Sequence, residues 1–351
     1  MNRHFRRAIL PAFMLIALMA LNFAPARAQD PPTSARLDGL RHNFQTWNNC
    51  GGANLTMALS YFGWNYDQDV ARAWLKPNTE DKNVSPGQMA AFVNQQTDLP
   101  NIRAIWRYGG DLNLIKRAVA AGFPVIVEAG FDVDNLGWMG HYETVVAYDD
   151  NAQTIWIYDS YLGPSQAHTY ADFDIWWRHF NRAFILLFPL DRETEARAVL
   201  GPYVDPNVAT QIALDAARRE ATASPSDGWA WFNMGTAFVK LGNYYDAATA
   251  FDQAFRLGLP YRLMWYMFGP YEAYYNIGRY DDVLTLAANT EATTVYVEET
   301  NYWRGMVYAA RGQYDLALNE LNNALAFNGH FEEAQIAKTQ IESGAFVPPV
   351  P

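Results

Sequence analysis

The residues best suited to chemistry surround Cys50, the single cysteine of the 351-residue chain. Cys50 lies where a polar loop gives way to an apolar-periodic segment that predicts a helix. The N–H groups and dipole of a helix N-terminus favour an anion, so they lower the pKa of a thiol placed there. Gly51 and Gly52 lack a Cβ, which lets a substrate carbonyl approach the backbone. This pattern predicts a thiolate nucleophile for acyl transfer. The alternative is a buried, inert Cys50.

Three further residues complete the candidate site. Gln45 can donate its side-chain amide to a developing oxyanion beside the Cys50 N–H. His141 opens a predicted strand and Asp159 lies near the end of the next one. If these strands are antiparallel neighbours around a turn at 149–151, position 141 pairs near position 159. Asp159 would then fix the His141 imidazole, which would act as the base.

Two alternatives stay open for this catalytic assignment. His168 is a fallback candidate for the base. Asp159 could instead cap a turn before Gly163 and Pro164. No motif for a cofactor is found, and a lone cysteine builds neither an internal disulfide nor a structural zinc site.

The elements that must position this site form a mixed α and β pattern within residues 38–190. Helical spacing and N-cap residues predict helices over 50–63, 85–96 and 111–121. Segments rich in β-branched and aromatic residues predict strands over 123–131, 141–150, 154–161 and 182–189. Helices followed by antiparallel strands indicate an α+β domain, with the N-terminal helix packed on the sheet.

Residues 38–190 resemble papain-like cysteine peptidases, and most closely the double-glycine (bacteriocin-processing) leader peptidases and their freestanding relatives. The matching pieces are Gln45-x4-Cys50-Gly51, an aliphatic helix ending Tyr61-Phe62-Gly63, Gly140-His141-Tyr142 opening a Val-rich strand, and Asp159. The resemblance implies that Cys50 is the nucleophile, His141 the base, Asp159 the orienting acid and Gln45 the oxyanion donor. The sequence departs from the family at Gly52 and Ser160, where Pro is usual.

A repeat of about 34 residues occupies 226–342. Gly242, Gly278 and Gly312 fall at matching turns, 36 and 34 residues apart, and a Tyr follows each by two positions. The period resembles about three tetratricopeptide repeats, which implies an all-α solenoid that binds a protein partner. Pro270 makes the middle copy irregular. An unrelated helical bundle is the alternative.

The remaining segments are a predicted targeting signal and connecting segments. Residues 1–28 combine a basic start, an apolar stretch and Ala26-Arg27-Ala28, which predicts a signal peptide cleaved near Ala28. A flexible leader is expected over 29–37, a helical linker over 191–225 and a tail over 343–351. The protein is therefore expected to be secreted or periplasmic, with no membrane span after cleavage.

The net charge of -11 argues against non-specific nucleic-acid binding. The predicted function is that of an exported cysteine peptidase that acts on a peptide or protein substrate. One alternative is a catalytically silent scaffold that works through its repeats. The other is a different acyl-transfer enzyme, such as a cell-wall amidase or a transglutaminase-like protein.

Overall fold

The computed structural model describes residues 30–133 and 136–350, so the predicted signal peptide lies outside it. The chain forms an antiparallel sheet covered by helices, which we call the sheet domain (34–189), and then the helical region (228–342), which contains helices only. Both parts have the predicted class, α+β first and all-α second. Among the described residues, no helix has the length and apolar character needed to cross a bilayer.

The sheet has seven strands in the order β2-β7-β3-β4-β5-β6, with β1 paired to β4. All of these pairings are antiparallel. The strands are β1 (Ser34–Arg36), β2 (Ile102–Arg107), β3 (Val125–Val133), β4 (Gly137–Asp149), β5 (Thr154–Asp159), β6 (Gly163–Thr169) and β7 (Phe184–Pro189).

Helices cover both faces of this sheet. They are α1 (Cys50–Ser60), α2 (Gln68–Leu75), α3 (Pro86–Gln95), α4 (Leu112–Ala120) and α5 (Tyr170–Trp177). Apolar residues of α1 and α3 pack on one face, against Ile126 and Ile185, and those of α4 pack on the other, against Val125 and Val127. Side-chain caps begin two of the predicted helices. Ser85 forms a capping box with Gln88 at the start of α3, and Asp111 caps α4.

The β4–β5 hairpin sets the geometry that the catalytic prediction depends on. Asp159 pairs with Glu143, because the turn is centred between residues 151 and 152, later than predicted, and a one-residue register shift between Val145 and Ala147 offsets only part of the difference. The predicted pairing of position 141 is therefore wrong by two residues. Side chains alternate with a period of two along a strand, so His141 and Asp159 still share one face.

The flexible leader expected over 29–37 is wrong for most of its length. Ser34–Arg36 form β1, which pairs with the end of β4. Leu37 is buried, and the Tyr148 hydroxyl donates to the Pro32 carbonyl at 2.6 Å. A short polar strand of this kind carries too weak an alternation to be predicted from sequence.

Two helices, α6 (Glu193–Leu200) and α7 (Pro206–Ala223), occupy most of the segment expected to be a helical linker. Ala209 of α7 lies in the core of the sheet domain, whereas Leu214 and Ala217 lie in the core of the helical region. Helix α7 therefore contributes side chains to the cores of both regions.

The helical region consists of successive antiparallel helix pairs. They are α8 (Gly228–Lys240) with α9 (Tyr244–Leu257), α10 (Gly269–Asn276) with α11 (Tyr280–Glu291), and α12 (Glu298–Ala310) with α13 (Tyr314–Phe327), followed by α14 (Glu332–Glu342). Gly242, Gly278 and Gly312 have φ values of 76°, 75° and 73°, which explains why glycine recurs at each turn. Pro270 can lie only in the first turn of a helix, and α10 is correspondingly short.

Candidate active site

Cys50 is the first residue of α1, as predicted, and it is half-buried while every later residue of the helix is buried. The preceding loop is held by Gln68 of α2, whose side chain bonds Asn49, Thr46 and Phe44 at 2.7–2.9 Å. The held Asn49 side chain leaves no space at Gly52, where a Cβ would lie 2.6 Å from its Oδ1 atom. This contact explains the absence of Pro at position 52.

His141 and Asp159 form the second part of the site, at the end of β4 and β5. The His141 Nε2 atom lies 3.0 Å from Asp159 Oδ1, and both side chains are buried. The same carboxylate oxygen accepts the backbone N–H groups of Tyr161 and Leu162 at 2.6 and 3.0 Å. Phe131 stacks on the imidazole with ring centroids 4.6 Å apart. These contacts fix the ring and leave its Nδ1 atom for another partner.

Cys50 is the other neighbour of this ring, since the Cys50 thiol and His141 are close enough to change each other's pKa. Burial alone would raise the pKa of the Cys50 thiol, but the hydrogen bond and charge of His141 outweigh burial and lower it. Burial lowers the pKa of His141, whereas Asp159 and Cys50 raise it to about 10. The pKa of Asp159 is also lowered, because His141 and two backbone N–H groups outweigh burial. The favoured state is a thiolate–imidazolium pair supported by a carboxylate.

Gln45 lies beside this arrangement and is bonded to Ser160. Its backbone N–H donates to the Ser160 carbonyl at 2.8 Å, and its Oε1 atom accepts the Ser160 hydroxyl at 2.8 Å. The amide nitrogen is therefore the end of Gln45 that can donate to a substrate. Ser160, the second departure from the family pattern, thus orients Gln45, whose oxyanion role stays a prediction.

Asn54, which the sequence analysis did not single out, connects the two halves of the site. It is fully buried, and its amide nitrogen donates to the Tyr142 carbonyl at 2.6 Å and to Ser160 Oγ at 3.2 Å. Its oxygen accepts the Thr144 hydroxyl at 2.8 Å. Asn54 lies one helical turn after Cys50, and this i+4 spacing was the available signal.

The fallback base, His168, lies away from the nucleophile. It pairs with Ile155 on β6, whereas Asp159 pairs with Gly163 at the other end of that strand. A different histidine supports the site, since His42 Nε2 lies 2.8 Å from the Asp159 carbonyl oxygen. In the described part of the chain, no group of three or more His, Cys, Asp or Glu side chains is placed to hold a metal ion.

A pocket of about 370 Å³, including its open mouth, adjoins Cys50. Its lining comes from several elements and comprises Asn48, Cys50, Gly51, Lys76, Lys82, Asn83, Val84, Glu128, Gly140, Tyr142 and Tyr266. Tyr266 belongs to the helical region and packs on Gly140, where a Cβ would lie 3.1 Å from its ring. The same Cβ would lie 2.7 Å from Phe180 Cζ, so the residue before the candidate base has to be small for both Phe180 and the tyrosine of the second region to pack there.

The helical region also holds the α2–α3 loop (76–85), which forms another wall of this pocket. The Lys82 backbone N–H donates to the Tyr296 carbonyl at 3.1 Å, and Asn83 Nδ2 donates to Glu299 at 3.1 Å. Asn328 donates to Glu298 at 3.0 Å and to the Leu75 carbonyl at 3.4 Å. The second region thus contacts the sheet domain on two sides of the nucleophile.

Comparison with known proteins agrees with this architecture. Residues 32–185 match the sequence model described as the Peptidase_C39 like family, which confirms the predicted resemblance of the sheet domain to papain-like peptidases. No curated protein matches the chain. Among solved structures, the crystal structure of MamA aligns at 15% identity over 44% of this chain and 84% of that one, with a TM-score of 0.33. That score is too low to inform the fold, so the repeat architecture rests on the helix pairs themselves.

Proposed function

We propose that this protein is a cysteine peptidase that uses Cys50, His141 and Asp159 as its catalytic residues. The observation that carries the proposal is the buried His141–Asp159 pair, with Nε2 and Oδ1 3.0 Å apart, beside a half-buried Cys50 whose pKa His141 lowers. A thiolate paired with an imidazole that a carboxylate holds in position is an arrangement that performs acyl transfer.

In the proposed reaction, the Cys50 thiolate attacks the carbonyl carbon of a peptide bond. The Cys50 N–H and the Gln45 amide donate to the oxyanion that forms. The His141 imidazolium gives its proton to the leaving amine as the C–N bond breaks. Water then loses a proton to His141, attacks the thioester and releases the free acid and the thiolate. Asp159 holds the imidazole in position throughout.

Peptide cleavage is tested by incubating the full chain with a complex peptide mixture and sequencing new peptide ends by mass spectrometry. Protein whose thiol has been alkylated serves as the control. New ends are expected with the intact thiol only. Equal cleavage by alkylated protein, or no cleavage by either, would reject a peptidase.

The same assay with added glycinamide separates hydrolysis from transfer to an amine. A peptidase gives products that end in a free carboxylate, whereas a transglutaminase-like enzyme gives glycinamide adducts. Incubation with purified peptidoglycan tests the amidase alternative, which predicts release of muropeptide fragments. We expect free carboxylates from peptides and no release from peptidoglycan.

We further propose that residues 1–28 direct export and are removed near Ala28, and that the helical region binds a protein partner. The first part rests on the basic, apolar and small-residue pattern of that segment. The second rests on the stacked helix pairs, an arrangement that commonly presents a binding surface. N-terminal sequencing of the expressed full chain checks the first part, with Gln29 expected as the first residue.

A further inference from the structure

Two lysines that the proposed mechanism does not use line the pocket beside Cys50. Lys76, at the end of α2, is only 2% exposed. Its ammonium group donates to the main-chain carbonyls of Asn48 and Asp81, the latter at 2.9 Å. Burial lowers the pKa of Lys76, and the charge of Asp81, whose carboxylate accepts the Asn83 backbone N–H at 3.1 Å, acts against this effect without a direct ion pair to Lys76. Lys76 is thus a buried cation whose direct hydrogen bonds are to carbonyl groups.

Lys82 places a second cation at the same pocket. Its side chain is 17% exposed, and its nearest carboxylate in the described chain, that of Glu80, is 3.9 Å away. The ammonium group lies over the rings of Tyr296 and Trp47, at 5.5 and 6.0 Å from their centroids. Aromatic faces hold a cation in place without neutralising its charge.

The one acidic residue in the lining does not balance these charges. Glu128 is buried, and burial together with the nearby Cys50 raises its pKa well above the usual range, which outweighs a hydrogen bond with Tyr142. The Glu128 carboxyl group therefore favours its neutral form more strongly than an ordinary glutamate does. The pocket is a local positive site in a chain whose net charge is -11.

A buried ammonium group is costly unless an anion lies close to it. The Cys50 thiolate supplies one negative charge, but His141 already pairs with it. The pocket opens to solvent beside it, and Asn83 and Tyr266 in its lining carry hydrogen-bond donors. A second anion, bound with the substrate, would offset the remaining charge.

We propose that this pocket binds a carboxylate of the substrate, so that the enzyme prefers an acidic residue next to the scissile bond. Lys76 and Lys82 supply the charge that recognises the carboxylate. This inference rests on the proposed function, because it takes Cys50 as the nucleophile.

The single cysteine allows a test that needs no knowledge of the natural substrate. Iodoacetate and iodoacetamide both transfer a substituted methyl group to the Cys50 sulfur with loss of iodide, and only iodoacetate carries a carboxylate. The ratio of their rate constants at pH 7 measures the preference of the pocket for an anion. A change in the thiolate fraction affects both reagents equally and cancels in the ratio.

Three variants of the full chain are compared with the wild type. Lys82→Met keeps the apolar stem over the two rings and should lower the ratio about threefold, and Lys76→Met about tenfold. Lys338→Met removes the same charge from α14, where the ammonium group lies 3.8 Å from Glu342, and should leave the ratio unchanged. In the wild type the ratio should also fall as salt is added.

The outcomes separate this inference from the proposed function. An unchanged ratio in folded Lys82→Met would overturn the carboxylate site and leave the nucleophile standing. If neither reagent modifies folded wild-type protein while both modify the urea-unfolded chain, Cys50 is not a nucleophile and the proposed function fails first. Residue 82 is partly exposed, so we expect Lys82→Met to fold. The test therefore does not depend on whether Lys76→Met folds.

Discussion

The sheet domain and the helical region bury polar side chains for different reasons. In the sheet domain they gather around the proposed nucleophile and bond one another, as Asn54 does with Ser160 and His141 with Asp159. In the helical region, Asn233 and Asn328 reach across to main-chain carbonyls of Arg178 and Leu75. Buried polar groups require partners, so they occur where a structure needs directional contacts. In the first region these groups surround the proposed nucleophile, and in the second they contact the first region.

This comparison revises the picture of a catalytic domain joined to an independent binding module. The helical region supplies Tyr266 to the pocket and bonds Asn83 through Glu299. Its part in catalysis is then to complete the shape of the pocket, whereas the reacting atoms belong to the sheet domain alone.

The largest effect is expected from Cys50→Ala. The sheet domain provides the sole nucleophile, so peptide hydrolysis should fall by about 10⁴-fold or more. Stability should change by less than about 1 kcal/mol, because Cys50 is half-buried and alanine suits the first turn of a helix. Hydrolysis of a labelled peptide and thermal unfolding by circular dichroism measure the two quantities. Hydrolysis at the wild-type rate by Cys50→Ala would show that a residue other than Cys50 is the nucleophile.

His141→Ala should change how Cys50 reactivity depends on pH. In the wild type the pKa of Cys50 lies below its usual value of 9.0, so alkylation by iodoacetamide should stay fast at pH 6. Without His141, burial raises the pKa, and the rate at pH 6 should fall about 100-fold. Alkylation stopped at set times and quantified by mass spectrometry gives the rate at each pH. The same dependence of rate on pH in both proteins would contradict the ion pair.

The same pair sets the alkaline limit of hydrolysis in the wild type. His141 must be protonated to give a proton to the leaving amine, and its pKa is raised to about 10. Activity should therefore decline as the pH rises through about 10, rather than near the usual imidazole value of 6.5. Hydrolysis rates measured over short times from pH 7 to 10.5 show where this decline begins.

Tyr266→Ala tests the contribution of the second region to the pocket. Removing one wall should lower kcat/KM about tenfold, because the substrate is held less firmly against Cys50. Tyr308→Ala, in α12 and away from the pocket lining, should stay within about twofold of wild type. Tyr266→Phe retains the ring and separates packing from the hydroxyl group. Equal losses in both alanine variants would indicate general destabilisation instead of a wall.

The sequence predicted the parts of the site that depend on local rules. Capping by Ser85 and Asp111 marks the starts of two helices. The Cys50 environment identifies the nucleophile, and the turn at 149–151 indicates which strands bring His141 and Asp159 together. The register error came from the turn, which is centred between residues 151 and 152 instead of at 150, and the one-residue shift between Val145 and Ala147 removes part of that error. Because side chains alternate along a strand, an error of two residues leaves His141 and Asp159 on the same face of the sheet. The catalytic prediction was therefore not affected by the error in register.

The sequence did not predict the parts that depend on distant contacts. Lys76, Glu128 and Tyr266 line one pocket from three elements far apart in the chain, and no spacing rule connects them. Strand β6 is polar and lacks the apolar enrichment that indicated the other strands, whereas β2 has two isoleucines and a tryptophan but is interrupted by two arginines. The helix pairs were predictable because each repeat contacts its sequence neighbours, whereas their docking onto the sheet domain was not.

The smallest effect is expected at the docking contact, from Glu299→Gln. Burial, with Glu298 and Asp81 nearby, raises the pKa of Glu299 well above its usual value of 4.5. The unfolded chain ionises near that usual value while the folded chain keeps the proton, so stability is lost as the pH rises from the unfolded pKa towards the folded one. Glutamine removes this loss and keeps the oxygen that accepts from Asn83.

The variant should match the wild type at pH 4.5 and be more stable by about 1 kcal/mol at pH 8. Urea unfolding at the two pH values measures the difference. The control is Glu332→Gln, at the exposed start of α14, which should leave the pH dependence unchanged. A stabilisation of the same size at both pH values would mean that Glu299 does not carry the proton, and that the docking contact is held by packing instead of by a neutral carboxyl group.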